Sequence, residues 1–174
     1  MTREWEPDVR SRDIPSAEAL RSLGERFPDF DPVAVETFIT LALVAAELQA
    51  TVEAVLHDHG LSRPRFITLI LLRKAGAPLT PAELAARTNT TTASMASLLE
   101  GLVTAGLIRR EPRQDDRRSH YIHVTELGNA KLDEILPHVY RTMGRVMSPM
   151  TADEQTGLAR VLLGLREGQE KPPR

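Results

Sequence analysis

Five charged side chains lie close together in one short stretch of the chain. Residues 111–125 read EPRQDDRRSHYIHVT, with Arg113, Arg117 and Arg118 placed around Asp115 and Asp116. Guanidinium groups bind phosphate through charge-assisted hydrogen bonds. A carboxylate beside a guanidinium can hold it in place, so that less side-chain freedom is lost on binding. The stretch is therefore a candidate site for binding a polyanion.

The charge of the surrounding region differs from that of the whole chain. The 174 residues carry a formal net charge of -2. Residues 60–131 hold 11 basic and 6 acidic residues, a net charge of +5, whereas the other residues hold 11 and 18, a net charge of -7. Attraction to phosphates depends on the local field, so a basic middle between acidic flanks favours nucleic-acid binding. Ordinary scatter of surface charge is the alternative.

Composition bounds the class of protein. The chain is 41% apolar and has no cysteine, which suits a globular domain without disulfides, thiol chemistry or the usual structural zinc sets. It has no run of eighteen apolar residues and no apolar core near the N-terminus, so we expect a cytoplasmic protein with no membrane span and no secretory signal.

Neither catalysis nor metal binding is indicated. No serine, histidine and carboxylate are grouped as in a nucleophilic site, and no glycine-rich phosphate loop is present. His57 and His59 are two apart, so they do not share one face of a helix and form a poor chelate. We expect no enzyme activity, no metal site and no cofactor.

The helices have clear start and stop signals. Asp31 followed by Pro32 begins a long helix that ends at Gly60, and its apolar residues cover too much of its surface for one face. It should be buried on two sides, by its own domain and by a partner chain. A short helix is expected from Ser16, and Thr151 should cap the last helix, which runs to about Leu165.

The middle of the chain predicts a helix-turn-helix. A helix over residues 64–75 is closed by Gly76, and Thr80 and Glu83 then form a capping box for PAELAAR. Asn89 tolerates a left-handed turn, and a second helix begins at about Thr91. The side chains predicted to face inward are Leu84, Ala85, Met95, Leu98, Leu99 and Leu102.

Two extended runs around the arginine-rich loop predict a β-hairpin, or wing. Thr125 then caps a helix in which Pro137 should produce a kink. The fold class is therefore mainly α with a small β-wing, a winged helix-turn-helix with long flanking helices from both termini. The predicted parts are an N-terminal extension (1–30), flanking helices (31–59 and 126–167), a winged helix-turn-helix lobe (61–125) and a tail (168–174).

Over about residues 31–166 the sequence resembles the MarR family of winged-helix transcriptional regulators. PLTPAELAARTNTTTASMASLLEGLVTAGLIRR is similar to the family's helix-turn-helix and first wing strand, and DDRRSHYIHVTELG is similar to its wing motif. The resemblance implies a homodimer, with residues 31–59 and 126–167 as its dimerisation helices, that binds a pseudo-palindromic site on double-stranded DNA. The recognition helix would enter the major groove and the wing the minor groove.

Roles for the wing residues follow from this resemblance. Arg118 matches the family's wing-tip arginine, which suits a narrow minor groove, and Asp116 would hold its guanidinium. Four other arginines are assigned either to phosphate contacts, which supply affinity without sequence information, or to support of the wing: Arg109, Arg110, Arg113 and Arg117.

The predicted recognition helix has no lysine or arginine, and Ser97 and Gly101 stand where a basic residue is frequent in the family. We therefore expect modest direct readout of bases and a larger share for the wing. The remaining candidate DNA contacts are hydroxyls of this helix and arginines of neighbouring helices: Thr91, Thr92, Ser94, Ser97, Arg63, Arg65 and Arg87. For Thr91 the alternative is a purely capping role.

The leading interpretation is a dimeric repressor that a small aromatic or lipophilic ligand releases from DNA, with unknown ligand-binding residues. One alternative is a winged-helix dimer that acts through protein partners or weak non-specific DNA binding. Another is a ligand-independent activator. The ligand would enter the crevice between the dimer helices and the winged-helix lobe. The N-terminal extension, with Trp5, either covers the dimer helices, lines this crevice or is disordered at its tip.

Overall fold

The computed structural model describes residues 22, 26, 27, 29–113 and 120–169. Most of the helix predicted from Ser16, and the end of the predicted tail, lie outside these residues. Six helices and two strands follow one another along the described chain. They are α1 (Pro32–Asp58), α2 (Arg63–Ala75), α3 (Pro81–Arg87), α4 (Thr92–Thr104), β1 (Ile108–Pro112), β2 (His120–Val124), α5 (Glu126–Met147) and α6 (Ala152–Gln169).

The predicted starts of α1 and α3 are confirmed by side-chain caps. Asp31 Oδ1 accepts from the backbone N–H groups of Val33 and Ala34 at 2.9 and 3.1 Å. Thr80 Oγ1 accepts from Glu83 N at 3.3 Å, and Glu83 Oε2 accepts in return from Thr80 N at 2.7 Å. Each cap satisfies an amide that has no partner within its helix.

The ends of the helices depend on backbone conformation. Gly60 and Gly76 have φ of 72° and 62°, the left-handed geometry that glycine adopts without steric cost. One predicted end is wrong, because α6 continues past Leu165 to Gln169. Arg166 and Glu167 are good helix formers and no proline follows before Pro172, so nothing stops the helix earlier.

The hairpin is antiparallel, with Ile108 opposite Val124 and Pro112 opposite His120. A third segment joins it, which the sequence patterns did not indicate. Leu79 and Ile122 exchange two backbone hydrogen bonds, with N···O distances of 3.4 and 2.8 Å. The base of the wing is thereby tied to the residues that lead into α3.

The chain divides into two compact units, and the division lies within α1, between Ala50 and Thr51. The second unit contains one hydrophobic core, to which the end of α1, α2, α3, α4, the hairpin and α5 contribute. All the side chains predicted to face inward in the helix-turn-helix are buried there except Leu98, which is half-buried. The largest fully buried apolar side chains are Leu56, Leu69, Leu84, Met95, Leu99, Leu102, Ile122, Leu132, Ile135 and Val139.

Outside this core, α1 and α6 expose many apolar side chains. Leu56 is the only residue of α1 that is fully buried, whereas Val33 and Phe38 are 70% and 72% exposed. By length and composition alone α1 could also cross a membrane, although a core helix of a soluble protein passes the same test. On α6 the exposed apolar residues are Leu158, Val161, Leu162, Leu163 and Leu165.

Candidate nucleic-acid interface

The turn between α3 and α4 has the geometry of a helix-turn-helix. Asn89 has φ of 50°, as predicted, and the backbone N–H of Thr90 donates to Ala85 O at 3.0 Å. Thr88 Oγ1 donates to Leu84 O at 2.8 Å. These bonds close α3 and fix where α4 begins, so they set the direction in which the recognition helix leaves the core.

The start of α4 shows which hydroxyls are engaged within the protein. Thr91 is the N-cap, since its Oγ1 accepts from Ser94 N at 3.2 Å and also donates to Ser94 Oγ at 2.9 Å. Thr92 and Ser97 are exposed, and no hydrogen bond within the described residues engages their side chains. Thr92, Ser94 and Ser97 thus face solvent, while Thr91 is held in its capping role.

The only charged residue of α4 is neutralised by the wing. Glu100 Oε2 lies 2.6 Å from Arg110 Nη2, and both side chains are exposed. Sequence reasoning placed Arg110 at phosphate or in support of the wing, and this ion pair favours the second role. The pair removes from the recognition helix a carboxylate that would repel DNA.

A second ion pair lies along strand β1 of the wing. Arg109 Nη1 donates to Glu111 Oε2 at 2.9 Å, and this hydrogen bond holds the pKa of the Glu111 carboxyl below its usual value. His123 Nε2 lies 3.1 Å from the same oxygen without forming a hydrogen bond. Arg113 lies over the ring of Tyr121, with its Cζ 5.2 Å from the centroid.

The wing tip itself is not part of the described structure. Asp116, Arg117 and Arg118, together with Asp115, lie outside the described residues. Their roles therefore stay predictions. Strands β1 and β2 nevertheless fix both ends of the six-residue gap between Arg113 and His120.

The three arginines predicted near the DNA backbone have different surroundings. Arg63 and Arg87 line a cavity of about 430 Å³ together with Glu53. The guanidinium of Arg65 instead lies against Gly101 of α4, where it takes up the space that a side chain at position 101 would need. This last contact joins two residues 36 positions apart, so no local sequence pattern indicates it.

The same cavity borders the turn of the helix-turn-helix and the inward-facing side of α4. Its apolar wall is formed by Pro64, Ile67, Met95 and Leu98, and the turn residues Thr88–Thr90 form another side. A molecule bound there would contact both the turn and the inner face of α4.

Comparison with known proteins identifies a family model and several relatives that match this chain. A sequence model described as MarR family matches residues 59–119, the segment that contains the helix-turn-helix and the first wing strand. The chain is 30% identical over 139 residues to the HTH-type transcriptional regulator PecS of Dickeya dadantii, covering 79% of this chain and 83% of that protein. The chain belongs to the MarR family. It is accordingly a winged-helix transcriptional regulator and not an enzyme.

Other comparisons agree with this MarR-family assignment. The transcriptional repressor YetL of Bacillus subtilis is 29% identical over 155 residues, which cover 88% of this chain and 93% of YetL. Crystal structures of a mutant E. coli MarR with operator DNA and of AbsC from Streptomyces coelicolor share the fold, with TM-scores of 0.68 and 0.69. They are 22% and 23% identical to this chain, cover 82% and 77% of it, and are themselves covered to 96% and 92%.

Proposed function

We propose that this MarR-family regulator is a homodimeric repressor that binds a pseudo-palindromic operator and is released by a small aromatic or lipophilic ligand. Two of its relatives, YetL and NicR of Pseudomonas putida, are named transcriptional repressors, and the E. coli MarR mutant was crystallised with operator DNA. The observation that carries the proposal is a helix-turn-helix whose second helix exposes a polar, uncharged face beside an arginine-rich wing.

The apolar faces of α1 and α6 support the dimer. Both helices expose large apolar side chains, such as Phe38 of α1 at 72% and Val161 of α6 at 61%. So many exposed apolar side chains are unusual for a monomer. Burial of each such side chain contributes about 1.5–3 kcal/mol. The proposal therefore assigns α1 to a dimer interface in the cytoplasm and not to a membrane.

On DNA, we place the start of α4 in the major groove, with Thr92, Ser94 and Ser97 toward base edges and Thr91 as the cap. Arg118 enters the minor groove with Asp116 holding it, and Arg113 and Arg117 contact phosphate. Because α4 has no cation of its own, direct readout is modest and the wing carries a large share of the affinity.

The cavity behind the helix-turn-helix is the proposed effector site. Its apolar wall suits an aromatic ring, and Arg63 and Arg87 beside Glu53 favour a carboxylate on that ring. A ligand lodged between Ile67 and Leu98 would shift the turn and α4, and so misalign the two half-sites of a dimer. Benzoate is a suitable probe, with neutral phenol as its comparison.

The effector test measures the anisotropy of labelled operator DNA as benzoate is added. Benzoate should release the wild-type protein at lower concentration than phenol. Ile67→Trp should fill the cavity, because Ile67 lines it and the larger indole would extend into it. The variant should not respond to benzoate, while operator binding persists. If benzoate releases the variant from DNA as readily as the wild type, the effector does not bind in this cavity.

Selection of bound duplexes from a random pool tests the DNA-binding proposal. We expect enrichment of an inverted repeat whose half-sites lie about 10 base pairs apart, one helical turn. The lack of a basic residue in the recognition helix gives weight to a second candidate, a dimer that acts through protein partners. Salt-dependent binding with no enriched sequence would favour that candidate over a specific operator.

A further inference from the structure

The contact between Arg65 and Gly101 places a cation beside α4, a helix that has no lysine or arginine of its own. Gly101 lies on the same stripe of the helix as Ser94 and Ser97, because seven residues make nearly two turns and four make a little more than one. It lies about 10 Å beyond Ser94 along the axis. The stripe proposed to face DNA thus ends at a residue without a side chain.

The guanidinium of Arg65 takes up that vacant space. A Cβ at position 101 would overlap Arg65 Nη2 and would lie only 3.1 Å from Cζ and 3.4 Å from Nε. All three atoms belong to the planar head of the arginine. The flat group therefore lies directly on the backbone of α4, reached from the first turn of α2.

Nothing in the described part of the chain uses the donors of this guanidinium. No hydrogen bond or ion pair of Arg65 occurs among the described residues. The carbonyl of Gly101 already accepts from Ala105 N at 3.1 Å, and Glu100 is paired with Arg110 at 2.6 Å. An arginine head has five N–H donors and no acceptor, so this guanidinium can donate to an acceptor outside the protein, such as a phosphate.

We propose that Arg65 acts as the cation of the recognition helix: it lies across Gly101 and contacts a DNA phosphate where the stripe leaves the groove. Gly101 is the permissive residue, because any side chain there would displace the guanidinium. Since Arg110 neutralises Glu100, Arg65 leaves this face of α4 with a net positive charge. The inference rests on the proposed operator binding and adds to it a residue pair from two helices.

The test measures operator affinity against salt for the full-length protein, with a selected duplex of about 30 base pairs, which spans two half-sites. Each phosphate contact contributes about 0.9 to the slope of log K against log salt. Arg65→Ala removes two contacts from a dimer, so its affinity loss should be about tenfold larger at 50 mM than at 200 mM salt. Sequence preference should not change.

Two further variants separate this role from a structural one. Gly101→Ala keeps Arg65 but expels its guanidinium, and should lower affinity. In the double variant Arg65→Ala with Gly101→Arg, the cation is returned to the same place from α4 itself. We expect this double variant to recover the wild-type salt slope, which a merely structural arginine would not allow.

Lys74→Ala is the matched control for lost charge, because Lys74 is an exposed cation at the other end of α2. Circular dichroism confirms the fold of each variant. A wild-type slope for Arg65→Ala, or a slope that Gly101→Arg does not restore, overturns the inference while operator binding stands. If the wild-type protein itself prefers no sequence, the failure belongs to the proposed function.

Discussion

At the scale of single residues, ion pairs decide which arginines are available to DNA. Arg109 and Arg110 both lie on β1 and look equally free in the sequence. In the structure Arg109 is bound to Glu111 and Arg110 to Glu100, at 2.9 and 2.6 Å. These exposed pairs contribute little to stability, so their main effect is on the local field.

Glu100→Gln tests that effect. Removal of the carboxylate releases Arg110, so we expect tighter binding to any duplex and a steeper salt dependence, with stability changed by less than about 1 kcal/mol. Fluorescence anisotropy at several salt concentrations measures both. Glu167→Gln on α6 makes the same change in net charge, and an equal gain there would attribute the effect to overall charge and not to the pair.

Arg118→Ala tests the wing. If its guanidinium enters a narrow minor groove, operator affinity should fall and so should the preference for A·T-rich flanking DNA. Gel shifts with A·T-rich and G·C-rich flanks measure the two effects. Asp116→Asn should give a smaller loss of the same kind, and unchanged affinity for Arg118→Ala would refute the wing assignment.

At the scale of elements, the position of the wing depends on a close approach between β2, α5 and the residue before β1. Gly128, in the first turn of α5, is buried, and a Cβ there would overlap Leu107 O and lie 2.8 Å from Val124 Cγ2. Thr125 fixes this junction, since its N–H donates to Leu107 O at 3.0 Å and its Oγ1 accepts from Gly128 N at 3.0 Å.

Gly128→Ala should therefore destabilise the protein. The added methyl would meet backbone, which cannot yield as a flexible side chain does, and overpacking of this kind costs about 1–3 kcal/mol. Urea unfolding measures the loss. Gly144→Ala, in the same helix but with open space around it, should be neutral or slightly stabilising because alanine has the higher helix propensity. Equal stabilities would show that the junction adapts.

The capping box of α3 makes a pH-dependent contribution. The backbone and side-chain hydrogen bonds from Thr80 hold the pKa of Glu83 below its usual 4.5. A lowered folded-state pKa stabilises the protein above the unfolded value, and this contribution is lost as pH falls through the folded value. Thr80→Ala should cost about 1 kcal/mol at neutral pH and less in acid. Urea midpoints of the wild type and Thr80→Ala at neutral and acid pH measure this pH-dependent cost. Thr80→Ser keeps the capping hydroxyl and should therefore keep the stability of the wild type at both pH values.

At the scale of the whole molecule, α1 and α6 each carry exposed apolar side chains. The sequence predicted a partner chain from the excess of apolar residues in α1, and the exposed faces of α1 and α6 keep that prediction open to test. A dimer would also present two winged helices to one duplex, and its affinity for two half-sites would far exceed that of one lobe.

Leu162→Glu places a charge on the exposed apolar face of α6. We expect a shift from dimer to monomer in light scattering without detergent, with operator affinity reduced at least tenfold because one half-site alone is bound. Leu127→Glu changes another exposed leucine, at the start of α5, and should leave the mass unchanged. If the wild-type protein is monomeric, the proposed dimer is wrong. If the wild-type protein stays in solution only with detergent, α1 is a membrane helix and not part of a dimer interface.

The sequence by itself determined the elements of this protein, because their signals are local. Caps at Asp31, Thr80 and Thr125, the left-handed turn at Asn89 and the alternation in the wing each depend on residues a few positions apart. Only the tertiary structure decided which charges meet. Glu100 with Arg110, Arg65 over Gly101 and the Leu79 bridge to Ile122 join distant positions. Such contacts follow from how helices and strands pack, and packing involves side chains that no short sequence pattern brings together.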